Sequence, residues 1–215
     1  MALNTHGWIE VKSPALGTDD AFKLSLLALG KSLGRPVTTR SKNLVDELTP
    51  KNKNEANPRS LSRITGTGRQ PWHMDMAHRV EPARYLVMGM YQCATDIACT
   101  EILDAATLIP DALNGEALSE PFLVRTGARS FYATITSTGQ SFVRFDPGCM
   151  QGATTRARAL MRHILDQDVP PSFVHTWRSG AVLIIDNWKM LHRRADAIRS
   201  VNRALYRISV MGETT

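Results

Sequence analysis

The chain is poor in cysteine, poor in aromatic residues, and without a long hydrophobic run or a block of like charge; each shortage removes a class of protein. No segment approaches the roughly 18 apolar residues of a membrane span, so no membrane partner is expected. The N-terminal stretch, Met-Ala-Leu-Asn-Thr-His-Gly-Trp-Ile-Glu-Val-Lys, has no basic start followed by an apolar run, and the cytoplasm is the expected location. Three cysteines, Cys93, Cys99 and Cys149, form neither a disulfide framework nor a zinc-finger spacing, which fits reduced thiols in a reducing compartment. Aromatics are 7% of the residues and do not interleave with the positive charges, which never run to five or six together. Nucleic acid is therefore not the expected partner.

What is present is ordinary for a globular protein: 215 residues, 43% hydrophobic and 21% charged, enough to bury one substantial core. One domain spanning residues 1–215 is expected; a homo-oligomer stays open. The net charge of +6 is uneven. Residues 1–70 carry 11 Lys/Arg against 6 Asp/Glu, residues 71–150 carry 5 against 9, and residues 151–215 carry 10 against 5. Dispersed positive charge of this kind steers small anionic substrates at least as well as a polymer.

The acidic middle holds the motif that points to chemistry. His73, Met74 and Asp75 form a His-x-Asp triplet, and His192 follows in Asp186-Asn187-Trp188-Lys189-Met190-Leu191-His192. In an extended segment residues two apart face the same side, so His73 and Asp75 can meet one ion while Met74 turns away. Two imidazoles and a carboxylate can cap one face of an octahedral iron(II), leaving positions for a bidentate cosubstrate and dioxygen.

Residues 21–34 read as an amphipathic helix, capped by Asp19 and Asp20 and ended by glycine. Residues 35–70 are polar and carry Pro36, Pro50, Pro58, Gly66 and Gly68, which suits either a lid over a site or disorder. Strand-like segments follow at 85–91, 122–125, 131–136, 141–145, 173–177, 181–185 and 204–211, with helices expected at 101–113 and 155–166. Their spacing predicts a barrel or sandwich. Residues 182–185 are apolar on both faces, hence a central strand, and lead directly to His192. In the last strand Arg203, Leu205, Arg207 and Ser209 alternate with Ala204, Tyr206, Ile208 and Val210, so two arginines share one face. If the apolar face packs on a helix, those arginines point inward, where an unpaired guanidinium is costly and an anion is needed. A dicarboxylate fits such a pair, since the planar fork grips a carboxylate through two parallel hydrogen bonds. An internal salt bridge to one of the 20 acids is the other reading.

Taken together these residues resemble the taurine dioxygenase family (TauD/TfdA) of iron(II)- and 2-oxoglutarate-dependent oxygenases, over roughly residues 60–210. The resemblance implies a mainly β fold with flanking helices and a double-stranded β-helix (jelly-roll, cupin-like) core. It implies His73, Asp75 and His192 as iron ligands and Arg203, 11 residues past His192, on the distal carboxylate of 2-oxoglutarate. It also places Thr100 on that carboxylate and Arg207 toward the substrate. Ala94-Thr95-Asp96 stands where relatives carry Gly-Asp-Thr, and the chain is shorter than most relatives, so substrate-enclosing insertions are missing or come from another subunit. The implied reaction consumes 2-oxoglutarate and dioxygen, releases succinate and carbon dioxide, and hydroxylates an unactivated C–H bond of a small anionic or amino-acid-like metabolite. Asp75 argues against halogenation, because family halogenases replace the carboxylate to admit chloride.

Further candidates are Arg69, as positive charge for the substrate, and Trp72, as a wall of the pocket. Arg144 and Asp146 are expected to pair with each other near Gly148. His78 reads as structural or as a neighbour of the metal site; His6, His163 and His175 read as surface or core residues. Three rival readings stay open: a β-barrel that binds metal and a small molecule without turnover, a zinc hydrolase at the same ligands, and a basic nucleic-acid-binding protein.

Overall fold

The computed structural model describes residues 2–12, 17–39, 42–58, 60–93, 97–109, 113–127, 129–139, 141–197 and 203–212. In chain order the elements are α1 (Ala2–His6), β1 (Trp8–Lys12), α2 (Asp19–Leu33), β2 (Arg35–Val37), β3 (Asp46–Leu48), α3 (Leu61–Thr65), β4 (Tyr85–Cys93) and β5 (Thr100–Asp104). There follow α4 (Ala105–Leu108), α5 (Asn114–Ser119), β6 (Phe122–Thr126), β7 (Arg129–Ala133), β8 (Met150–Gly152), α6 (Thr155–Asp166), β9 (Phe173–His175), β10 (Ala181–Asp186), β11 (Met190–Arg194) and β12 (Arg203–Met211). Strands dominate. Among the described residues no helix is long and apolar enough to cross a membrane.

Six strands form the largest sheet, in the order β1-β10-β4-β12-β2, with β3 also paired to β12. All of its pairings are antiparallel. A three-stranded sheet, β11-β5-β9, packs against one face. Alternation along the strands decides which side chains meet there: Leu86, Met88 and Met90 of β4, Leu183 and Ile185 of β10, and Leu205 of β12 join Ile102 and Met190. The opposite face presents Val87, Val182, Ile184, Tyr206, Ile208 and Val210 to Phe22 and Leu26 of α2. At Gly89 a Cβ would lie 2.7 Å from the Leu26 side chain, so only glycine lets the helix settle this close. The third sheet, β7-β6-β8, shares a core with α6 that includes Trp72 and Met74.

The apolar run at 182–185 is a central strand, flanked by β1 and β4. Helix α6 matches the periodic segment 155–166, with Thr154 accepting from Ala157 N. Other expectations need correction. The N-cap of α2 is Thr18, which accepts from Ala21 N, while Asp19 and Asp20 occupy the first turn, where their charge favours the helix N-terminus. Residues 35–70 contain β2, β3 and α3. The helix expected at 101–113 begins as β5, because pairing with both β9 and β11 outweighs helical propensity. Residues 141–145 are irregular, and the strand expected at 131–136 runs from Arg129 to Ala133.

Candidate metal centre

Backbone pairing brings the two histidines together. His73 N donates to His192 O at 3.1 Å and His192 N donates to His73 O at 2.9 Å, an isolated antiparallel bridge between distant segments. His192 lies on β11, which begins after a three-residue turn from the end of β10, and the pairing of β11 with β5 fixes its position. His73 is extended, but Asp75 opens a turn and Met76 adopts φ 59°, a left-handed conformation that non-glycine residues seldom take. Met74 is fully buried and turns into the core.

The turn is clamped by Asn187, which is 1% exposed. Its Oδ1 accepts from Asp75 N at 2.9 Å, and its Nδ2 donates to Asp75 O at 3.0 Å and Ala83 O at 2.8 Å. Asp186 Oδ1 accepts from Trp188 N at 3.1 Å, an Asx turn that starts the link from β10 to β11. That link leads to one metal-type ligand, His192, and through Asn187 orients another.

One donor atom from each of His73, Asp75 and His192 lies within 4.8 Å of the others. His73 Nε2 is 4.0 Å from Asp75 Oδ1, and His192 Nε2 is 3.7 Å from Asp75 Oδ2. His73 Nδ1 lies 3.0 Å from Pro71 O, a contact that orients the ring and leaves Nε2 facing the carboxylate. Burial pushes His192 down to about 3, so its imidazole is neutral, the form that ligates metal. Burial works to raise the Asp75 carboxyl, but the charge and hydrogen bond of Arg207 lead the groups that outweigh it and hold the carboxyl well below the usual carboxylate range. Two imidazoles and an ionised carboxylate, converging on one point, fit a divalent transition metal.

Arg207 does not stand free on the inner face of β12. Its Nη1 donates to Asp75 Oδ2 at 2.6 Å and its Nη2 to Asp46 Oδ2 at 3.0 Å. Asp46 is directly opposite Arg207 in the β3–β12 pairing and is 5% exposed. Burial opposes the guanidinium charge, and Asp75 and Asp46 more than compensate, so its pKa is raised. The apolar face of β12 packs on α2, as the alternation predicts. The backbone of Arg203 pairs with Cys93 beside a register shift, and its side chain lies outside the described residues, as does the 94–96 segment.

A cavity of about 540 Å³ opens over the triad. Residues 39–62 supply much of its wall, together with Thr100, Asp146, Arg193 and Arg194. Thr100 is buried and its Oγ1 accepts from Trp177 Nε1 at 3.0 Å. Arg69 and Trp72 are not part of the wall. Arg69 is tied to Glu101 at 2.7 Å, and Trp72 is buried beneath the Arg193 guanidinium, 3.7 Å from its ring centroid. Arg144 does not pair with Asp146: it donates to the carbonyls of Ala77, Arg79 and Val80, pinning the strand-free stretch after the triplet. Asp146 instead accepts from Gly148 N at 2.7 Å, and burial raises its pKa. His78 lines the cavity, His175 is buried beside Glu10, and His6 and His163 are exposed.

Two residues of this site escape the sequence reading. Asn187 had a signal, the Asp-Asn turn between a strand and His192. Asp46 had none, being one acid in a polar stretch.

No family model matches the sequence, and no curated protein matches it. Solved structures do. An asparagine oxygenase in complex with Fe(II), 2S,3S-3-hydroxyasparagine and succinate is similar at TM-score 0.75 and 16% identity, over 95% of this chain and 74% of that one. The non-haem iron oxygenase OrfP, in complex with Fe, succinate and (3S)-hydroxy-L-Arg, is similar at TM-score 0.72 and 15% identity, over 97% and 77%. A taurine dioxygenase from Burkholderia xenovorans is similar at TM-score 0.69 and 16% identity, over 99% and 79%. The fold is that of non-haem iron oxygenases. On that fold the cluster is held by the His73–His192 backbone bridge, with Asp75 in the turn that follows.

Proposed function

We infer that this chain is an iron(II)- and 2-oxoglutarate-dependent oxygenase of the TauD/TfdA type, with residues 1–215 forming one catalytic domain around a double-stranded β-helix core. The observation that carries this reading is the convergence of the His73, Asp75 and His192 donor atoms within 4.8 Å on an iron-oxygenase fold. In this reading the three residues hold Fe(II), and Arg203 holds the distal carboxylate of 2-oxoglutarate. Thr100 assists, since its oxygen already accepts from Trp177 and its own proton is left to donate. Held there, iron(II) and 2-oxoglutarate would supply, with O2, the oxidation of an unactivated C–H bond, with succinate and carbon dioxide as coproducts.

The protein's part is to orient and to exclude water. Asn187 and Arg207 hold the Asp75 backbone and carboxylate, so the carboxylate need not reorganise when metal binds. Thr39, Asn43, Asp46 and Ser60 of the 35–70 segment line the cavity and supply part of its polar wall, which suits a lid. The hydroxylated amino acids in the similar structures support a small, amino-acid-like substrate. A reducing cytoplasm suits a ferrous centre.

Anaerobic titration of the purified chain with iron(II) and then 2-oxoglutarate tests the reading. A weak visible charge-transfer band is expected, lost in Asp75→Ala. Its absence with iron bound would overturn the cosubstrate assignment. Arg203→Ala should raise the 2-oxoglutarate concentration needed for the band far more than Arg207→Ala; the reverse ranking would exchange their roles.

A further inference from the structure

The cavity's wall carries Arg193, Arg194 and Arg207, and each is already engaged with the protein. Arg193 Nε donates to Glu101 at 2.5 Å. Arg194 Nη2 donates to the carbonyls of Gly66 and Gly68 at 2.7 and 2.8 Å. Arg207, the one that reaches the metal carboxylate, is shared between Asp75 and Asp46. A guanidinium captures an anion through two parallel N–H groups. In Arg207 each Nη spends one N–H on a carboxylate, and the buried Nε lacks a partner. The N–H groups that remain lie between two carboxylates, which repel an incoming carboxylate, sulfonate or phosphate. One guanidinium facing two carboxylates has its charge cancelled.

Asp46 is built into this arrangement. Strand β3 places it opposite Arg207 in register, and Thr39 Oγ1 sits 2.8 and 2.7 Å from its two oxygens. A buried acid held from two sides by cross-strand pairing and a hydroxyl is a fixed countercharge. Removing it would leave Arg207 with Asp75 alone and Nη2 and Nε open.

We propose that Asp46 is a specificity-determining residue: by occupying Arg207 it rejects an anionic group beside the metal site and favours a substrate that presents a neutral or ammonium group there. The proposal rests on the oxygenase reading for what the cavity does, but its test does not. It stands against the expectation that Arg207 offers its charge to an anionic substrate.

The test is calorimetric titration of the full, metal-free chain with sulfate as the anion probe, comparing wild type, Asp46→Asn, Asp46→Asn with Arg207→Gln, and Arg207→Lys alone. Asp46→Asn should bind sulfate about tenfold or more tighter than wild type, the worth of one charge-assisted hydrogen bond. The gain should vanish in the double variant, and Arg207→Lys alone, which keeps the charge but not the planar fork, should leave the wild-type sulfate affinity unchanged. Equal affinity in wild type and Asp46→Asn, or a gain that persists without Arg207, would overturn the proposal. So would a loss of sulfate binding in Arg207→Lys alone, an arm that does not depend on the Asp46 variant folding. Because neither iron nor 2-oxoglutarate is present, failure here and failure of the oxygenase reading are separate results.

Discussion

The two faces of β12 are held by opposite physics. Outward, Tyr206, Ile208 and Val210 bury against Phe22 and Leu26, and the stabilisation scales with apolar area removed from water. Inward, Arg207 carries a charge that is tolerable only because Asp75 and Asp46 meet it. Apolar contacts forgive exchange among residues of similar size. The inner face does not, since removing either acid leaves a buried charge short of a partner. The lesson is that the same strand supplies stability from one side and a prearranged site from the other, so the two can be broken separately.

The largest effect should come from the site side. His192→Ala should lower cobalt(II) or iron(II) affinity by more than about 100-fold, beyond the range of changes to groups behind the ligands, as read by calorimetry. Ile208→Ala, on the outer face, should cost about 3 kcal/mol of unfolding free energy in a denaturant melt while leaving metal affinity intact. A loss of metal binding in that variant would mean that the faces are not independent. Asn187→Ala removes three hydrogen bonds around Asp75 and Ala83 and should cost on the order of 2 kcal/mol. It should also weaken metal binding about tenfold, placing the β10–β11 turn on both sides of the comparison.

The smallest effect concerns pH. Burial lowers the pKa of His175 more than Glu10 raises it, so the folded ring stays neutral where the unfolded ring, with a reference value of 6.5, takes a proton. The unfolded state then binds more protons, and stability falls as pH drops below about 6.5. His192 adds to the same slope. Urea midpoints measured from about pH 7 to about pH 5 should fall, and His175→Asn should flatten part of that fall; an unchanged slope would mean that His175 is not held neutral.

Local pattern made much of the fold legible. The 3.6 period over 155–166 gave α6, the two-sided apolar run gave the central β10, and the alternation in β12 gave its packing on α2. Each of those signals lives within one segment. Strand β5 failed the same reading because its partners β9 and β11 lie about 70 to 90 residues away, and pairing there overrides local preference. The His73, Asp75 and His192 cluster was legible because donor chemistry restricts residue type so strongly. Asn187 was half legible as a turn residue. Asp46 was not, because nothing local distinguishes it from its acidic neighbour Glu47.

By itself the sequence determined which side chains can bind metal and which face of β12 is apolar, since residue chemistry and strand alternation are local properties. Only the tertiary structure decided that Arg207 is spoken for. Its partners stand 132 and 161 residues away, and a charge is free or cancelled according to what lies within a few ångströms of it in space.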